Sequence, residues 1–164
     1  MEFLLYERKF KLVDDELYSF YKKGGINIKE KWHIVKISLG TTGYKRFSFS
    51  HKRKTKHFYY HRVVYYAHNN DWDLLDNSKE NCIDHIDGIR TNNHISNLRV
   101  VTQQENNFNT RCKGYYFDKS KGKYKAQIQL NGKKIHIGLF NTPEEAREAY
   151  LNKKEELHII EQRH

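Results

Sequence analysis

A chain of 164 residues with 30 Lys and Arg against 20 Asp and Glu carries a formal net charge of +10, so one or two small domains with a polyanionic partner are the first expectation. Its 2 cysteines, Cys82 and Cys112, make neither a zinc-spaced cluster nor a disulfide framework, which fits a reducing compartment and small packing roles. No apolar run is long enough to span a bilayer, and the opening MEFLLYERKF meets charge too early for a secretory signal.

The first seventy residues are mostly β by pattern. Residues 9–21 offer two short strands around an Asp14-Asp15 turn, and residues 22–27 read as a loop with Gly24-Gly25. Residues 32–39 alternate as one strand, with Val35, Ile37 and Leu39 on one face and Lys36 and Ser38 on the other. A turn at 40–43 leads to a strand over 44–50 that sets Phe47 and Phe49 together, then a basic turn at 51–55 and a strand over 56–60. A short helix follows over 61–68. The basic run Lys45, Arg46, Lys52, Arg53, Lys54 and Lys56 suits a phosphate backbone; the plainer reading is a solvated hairpin edge, where Lys discourages edge pairing. His61 and Arg62 enter the helix straight from a strand, but a lone His there is more often packed or capping, and neither is assigned to catalysis.

The most informative stretch runs over 83–107, IDHIDGIRTNNHISNLRVVTQQENN. It opens on Asp84-His85, turns at Asp87-Gly88, passes through a polar loop, and reaches Asn97 at the mouth of a strand over 98–101. Thr102 and Glu105 have capping-box spacing, which starts a helix at Gln103 and places Asn106 about one turn in. Strand, loop, strand and helix make a ββα unit, in which Asp84, His85 and Asn106 can converge. The plain alternative is that Asp84 caps a turn and His85 packs within it.

This stretch resembles the HNH (His-Me finger) nucleases, most closely the phage and intron homing endonucleases. Asp84-His85, Asp87-Gly88, Asn92-Asn93, Asn97-Leu98-Arg99, Val101-Thr102-Gln103 and Asn106 carry the likeness. The resemblance implies that His85 is the general base, that Asp84 and Asn106 hold one divalent metal, and that Asn97 fixes the His85 loop or ring. Asn106 stands where the best-known form of the motif has His, which the homing branch often shows. The chemistry agrees. A neutral imidazole deprotonates water near neutral pH, a metal neutralises charge developing on phosphate, and an Asp with an Asn suits Mg²⁺ or Mn²⁺ better than Zn²⁺. The arrangement before this motif loosely resembles the same enzymes.

Residues 115–118, 123–130 and 133–140 read as three strands, the last two joined by Asn131-Gly132, which favours a tight type I′ turn. Alternation sends Tyr124, Ala126, Ile128, Leu130, Ile135, Ile137 and Leu139 to one face, and Lys125, Gln127, Gln129, Lys134 and His136 to the other. Thr142-Pro143-Glu144-Glu145 then starts a helix toward Leu157. The run GYYFDKSKGKYKAQIQLNGKKIHIGLFNTPEEAREAY resembles the ethylene-response-factor (APETALA-type) DNA-binding domain, with Tyr124 where that family usually has Trp. The family lays its sheet in the major groove, which implies contacts from Arg111, Lys113, Tyr116, Lys123, Lys125, Gln127, Lys134 and His136; Arg99 of the central motif joins the DNA-contact set.

The expected fold is α+β: a β-rich part over 1–70 leading into a ββα unit over 81–110, together a nuclease domain over 1–110, then a three-stranded antiparallel sheet with one helix over 111–164. The expected function is site-specific, metal-dependent hydrolysis of double-stranded DNA, nicking or double-strand, by a monomer or homodimer with no membrane association. The resemblance implies the cytoplasm of a bacterial or phage-infected cell. The other class in play is a non-catalytic DNA-binding regulator built on a nuclease-like scaffold.

Overall fold

A computed structural model describes residues 1–21 and 29–160; the loop expected over 22–27 lies outside the described residues. The chain forms the α+β fold expected of it and divides into two compact units. The first holds Met1–Ser78 and Ile83–Val100; the second holds Lys79–Cys82 and the described residues from Val101 on.

In the first unit β1 (Glu2–Leu5), β2 (Arg8–Val13), β3 (Glu16–Tyr21) and β4 (Lys31–Ile34) form an antiparallel sheet in chain order. Alternation buries Phe3, Leu5, Phe10, Leu12, Leu17 and Ser19 on one face. The turns are two-residue connections whose residues all take positive φ: Tyr6 and Glu7 at 49° and 68°, Asp14 and Asp15 at 47° and 60°. Such turns match the twist of a hairpin. β1 was not anticipated, because its turn lacks the Gly, Asn or Asp that usually announces one.

The strand expected over 32–39 is two strands in two sheets. β4 ends at Ile34, Val35 donates its N–H to the Leu17 carbonyl at 2.8 Å, and β5 (Ser38–Leu39) pairs elsewhere. Val35 and Ile37 pack on the core as the alternation requires, but Leu39 is 64% exposed. The chain changes sheets here, and the inward face ends with the change. β5 joins β6 (Lys45–His51) and β7 (Lys54–Tyr59) in a three-stranded sheet, and α1 (Tyr60–His68) follows directly. Phe10, Leu17, Val63 and Val64 are almost wholly enclosed, and Phe10 meets Phe49 with ring centroids 5.1 Å apart. Truncating Phe10 to Ala costs about 3–5 kcal/mol at such a site. The Arg62 guanidinium holds the Leu74 and Asp76 carbonyls at 2.9 and 2.6 Å, tying the segment after α1 back onto it. β8 (Cys82–His85) and β9 (Leu98–Val101) then pair as a two-stranded ribbon.

The second unit begins with α2 (Gln103–Phe108) and continues into β10 (Tyr115–Asp118), β11 (Lys123–Leu130), β12 (Lys133–Phe140) and α3 (Pro143–Leu157). Both helices start on complete capping boxes, Thr102 with Glu105 and Thr142 with Glu145. The β11–β12 turn is type I′ in character, with Asn131 and Gly132 at φ 50° and 73°. Ala126 and Ile128 of the sheet and Ala146 and Tyr150 of α3 are buried. Gly114 takes φ +78°, and a Cβ there would fall 2.0 Å from the Tyr150 ring, so only Gly fits. One face assignment fails. A β-bulge between Ala126 and Gln127 sets Lys125 opposite Leu139 and Ala126 opposite Gly138, so Leu139 joins the Lys125 face and is 36% exposed. The extra residue inverts the alternation along β12, and simple period-2 reading missed it. Among the described residues, no helix is long and apolar enough to cross a membrane.

Candidate active site

Asp84 and His85 close β8 and are 4% and 3% exposed. A self-satisfied polar loop holds the chain beyond them. Ile86 donates its N–H to the Asn97 carbonyl at 2.9 Å, and Gly88, at φ +71°, donates to the His85 carbonyl at 2.8 Å. The Asn97 carboxamide does most of the fastening. Its Oδ1 accepts from the Asp87 N–H at 3.0 Å, while its Nδ2 donates to Asp87 Oδ1 at 3.0 Å and to the Asn92 carbonyl at 2.8 Å. The Asp87 carboxylate also accepts from the Ile89 N–H at 2.7 Å and from Asn92 Nδ2 at 2.7 Å. The Ile89 amide first, then the Asn92 side chain, hold the Asp87 carboxyl below its ordinary range.

The partner of the His85 ring is Asn93. Nε2 lies 2.9 Å from Asn93 Oδ1. A carboxamide oxygen only accepts, so this bond assigns the proton to Nε2 and leaves Nδ1 as the basic nitrogen. Tyr44 and His61 wall the ring at centroid distances of 5.8 and 5.0 Å. His61 is buried, and desolvation followed by the neighbouring His85 pushes its pKa down to about 3, so it sits there as a neutral packing ring. Arg90 covers Tyr44 from 5.0 Å and anchors on the Thr42 carbonyl at 2.8 Å. Asn93 was a motif letter without a role in the sequence; only the loop's return past the ring shows its use. Tyr44 carried no signal at all.

Asp84 Oδ2 accepts from Arg99 Nε at 2.9 Å and Nη2 at 2.7 Å. Arg99, counted among the DNA contacts by position, is thus engaged with the carboxylate beside His85. A buried carboxylate needs a cation against it. Asp84, His85, Asn97 and Arg99 gather in the first unit, whereas Asn106 lies on α2 in the second. Among the described residues no three His, Cys, Asp or Glu side chains cluster as a metal site, so a cation held at Asp84 needs amide or backbone oxygens to complete its protein ligands.

The remaining basic residues fall on two surfaces. Lys45, Arg46, Lys52, Arg53 and Lys54 lie on the β6–β7 hairpin, with Lys52 and Arg53 forming its turn at φ 47° and 62°. In the second unit, the register places Tyr116 opposite Lys125, Gln127 opposite His136, and Gln129 opposite Lys134 on one sheet face. Lys123 shares that face, and Arg111 and Lys113 lead into β10 exposed. A cleft of about 1040 Å³ adjoins it, lined by Gln103, Gln104 and Asn107 of α2 and by Tyr116, Gln127 and Lys134 of the sheet. The α2 amides were not among the contacts read from sequence.

Compared with known families, residues 58–108 match the HNH endonuclease family. Residues 58–108 are an HNH endonuclease domain. That domain starts in β7, takes in α1 and the β8–β9 ribbon, and ends with α2. The chain is also 34% identical over 97 residues to YosQ of Bacillus subtilis (strain 168), whose name proposes an SPbeta prophage-derived HNH homing endonuclease. The match takes in 58% of this chain and 53% of the relative, so the chain spans about half the length of the curated relative it matches. No solved structure matches the chain.

Proposed function

We propose that the chain is a site-specific, divalent-metal-dependent DNA endonuclease of homing type, with the HNH domain cutting and residues 111–164 reading flanking duplex. The supporting observation is the buried His85, whose Nε2 lies 2.9 Å from Asn93 Oδ1, beside the charge-balanced carboxylate of Asp84. His85 Nδ1 takes the proton of the attacking water, and Asn93 Oδ1 keeps its bond to Nε2–H as the ring becomes cationic. Asn97 holds the loop that carries Asn93 past the ring.

Asp84 supplies a hard carboxylate oxygen of the kind such a cation takes, and Arg99, which holds its Oδ2, competes with the ion for it. The HNH resemblance assigns the second oxygen ligand to Asn106, and an Asp with an Asn would suit Mg²⁺ or Mn²⁺. The bound ion would supply charge neutralisation at the phosphate. Arg99 either shares the carboxylate with the ion or releases it toward a phosphate. One chain carries one such site, so a monomer nicks, and a double-strand break takes a homodimer or a second encounter. Residues 111–164 keep a sequence likeness to the ethylene-response-factor domain, and their free polar face supports the assignment of base contacts to Lys125, Gln127 and His136.

One observation favours a non-catalytic DNA-binding protein: Arg99 occupies Asp84 Oδ2. Supercoiled plasmid incubated with Mg²⁺ or Mn²⁺, then with chelator, separates the two readings. Nicking that the chelator abolishes, and that Asn106→Ala reduces but raised metal partly restores, supports the nuclease. Binding without nicking on any DNA, including the host locus, supports the regulator.

A further inference from the structure

The β1–β4 sheet buries one face and leaves the other open. On the open face Leu4 stands opposite Lys9, Lys11 opposite Tyr18, Tyr18 opposite Ile34, and Phe20 opposite Trp32. Among the described residues none of Tyr18, Phe20, Trp32 or Ile34 belongs to the hydrophobic core or packs against it; the three rings are half-buried and Ile34 is 62% exposed. The Lys11 ammonium group sits among the rings. Lys11 Nζ lies 5.2 Å from the Tyr18 centroid and 4.7 Å from that of Trp32, and Phe20 meets Trp32 at 5.1 Å, tilted by 55°. The two acids of this face stand toward one end, Glu2 opposite Lys11 and Glu16 opposite Val13, and Glu16 is taken by the Tyr18 hydroxyl at 2.6 Å. Lys9, Phe20 and Trp32 make up the other end, with no acid among them.

An aromatic surface with one lysine among its rings and a second on the same face has a specific complement. Unpaired bases stack on ring faces and their phosphates need cations at short intervals, so a single polynucleotide strand uses both halves of the pattern. A duplex hides its base faces, and a purely apolar protein partner would leave both ammonium groups without a counterpart. We propose that the open face of β1–β4 binds an unpaired DNA strand, stacking bases on Phe20 and Trp32 and setting phosphates at Lys9 and Lys11. That the strand is DNA rests on the nuclease reading; that it is unpaired rests on the face itself.

The test uses the whole chain with Trp72→Phe, which leaves Trp32 as its tryptophan reporter. Titration with an oligothymidylate of about a dozen nucleotides, in chelator so that cutting plays no part, is expected to quench Trp32 fluorescence saturably. The same titration with duplex should leave the signal unchanged. Phe20→Leu and Lys11→Gln, which keep the sheet's bulk, should each weaken binding, and Phe20→Ala should weaken it about tenfold. No quenching, equal quenching by duplex, tighter binding of the matching RNA, or a Trp32 signal that changes only with protein concentration would overturn the proposal; the last would assign the face to a second copy of the chain. Binding is read without cleavage, so a chain that fails to nick plasmid while still quenching would sink the nuclease reading alone.

Discussion

The loop after His85 and the open face of the C-terminal sheet are both rich in amides, yet they are built in opposite ways. In the loop, Asp87, Asn92 and Asn97 satisfy one another, and Asn93 spends its oxygen on the His85 ring. On the sheet, no side-chain hydrogen bond holds Lys125, Gln127, Lys134 or His136 among the described residues. A reacting group has to be in place before substrate arrives, so its neighbours are ordered during folding. A reading surface meets a partner that supplies half of each hydrogen bond, so its side chains stay uncommitted until contact. The same residue types are therefore committed to the fold in the loop and uncommitted on the sheet.

Removing the ring breaks the comparison most severely. His85→Ala should lower the nicking rate by roughly 10²–10⁴-fold, the usual share of a general base, while a gel shift shows DNA affinity within about threefold of the parent. A parallel collapse of binding would mean that the ring holds DNA and does not handle a proton. Next comes a matched pair of amides. Asn97→Ala leaves the Asp87 N–H and the Asn92 carbonyl unsatisfied and should destabilise the fold by about 2–4 kcal/mol in denaturant unfolding. Gln127→Ala should leave stability within about 0.5 kcal/mol, yet weaken a cognate site by about 1–3 kcal/mol relative to random DNA. Equal stability losses would erase the distinction between the two regions.

The smallest effect concerns acid. The folded pKa of His61, about 3, lies below its ordinary 6.5, so between those values the unfolded chain binds the extra proton. The contribution of His61 is therefore complete above pH 6.5 and is lost as pH falls toward 3. The loss should reach about 2 kcal/mol by pH 5. His61→Phe, which keeps a ring against His85 and Tyr44, should flatten that part of the stability curve. An unchanged acid slope in His61→Phe would show that other groups carry it.

Much of this was legible before any coordinates. The strands β10 to β12 and the two capped helices stand where alternation, Asn131-Gly132, Thr102 and Thr142 place them, because each of those signals is local. What failed was non-local. β1 and its Tyr6-Glu7 turn are held by Phe3 and Leu5 packing on distant residues, the bulge at Ala126 and Gln127 answers to the partner strand, and the break after Ile34 reflects a change of sheet. In the site, the motif's resemblance to the HNH nucleases singled out Asp84, His85, Asn97 and Asn106. It did not show that Asn93 is the ring's partner or that Arg99 occupies Asp84, since both follow from how the loop and ribbon close in space.

The nitrogen-15 NMR tautomer of His85 at pH 8 tests the site most directly. Control by Asn93 predicts a proton on Nε2 and a pyridine-like Nδ1, with the preference lost in Asn93→Ala. A proton on Nδ1 in the parent protein would remove the base from the position assigned to it.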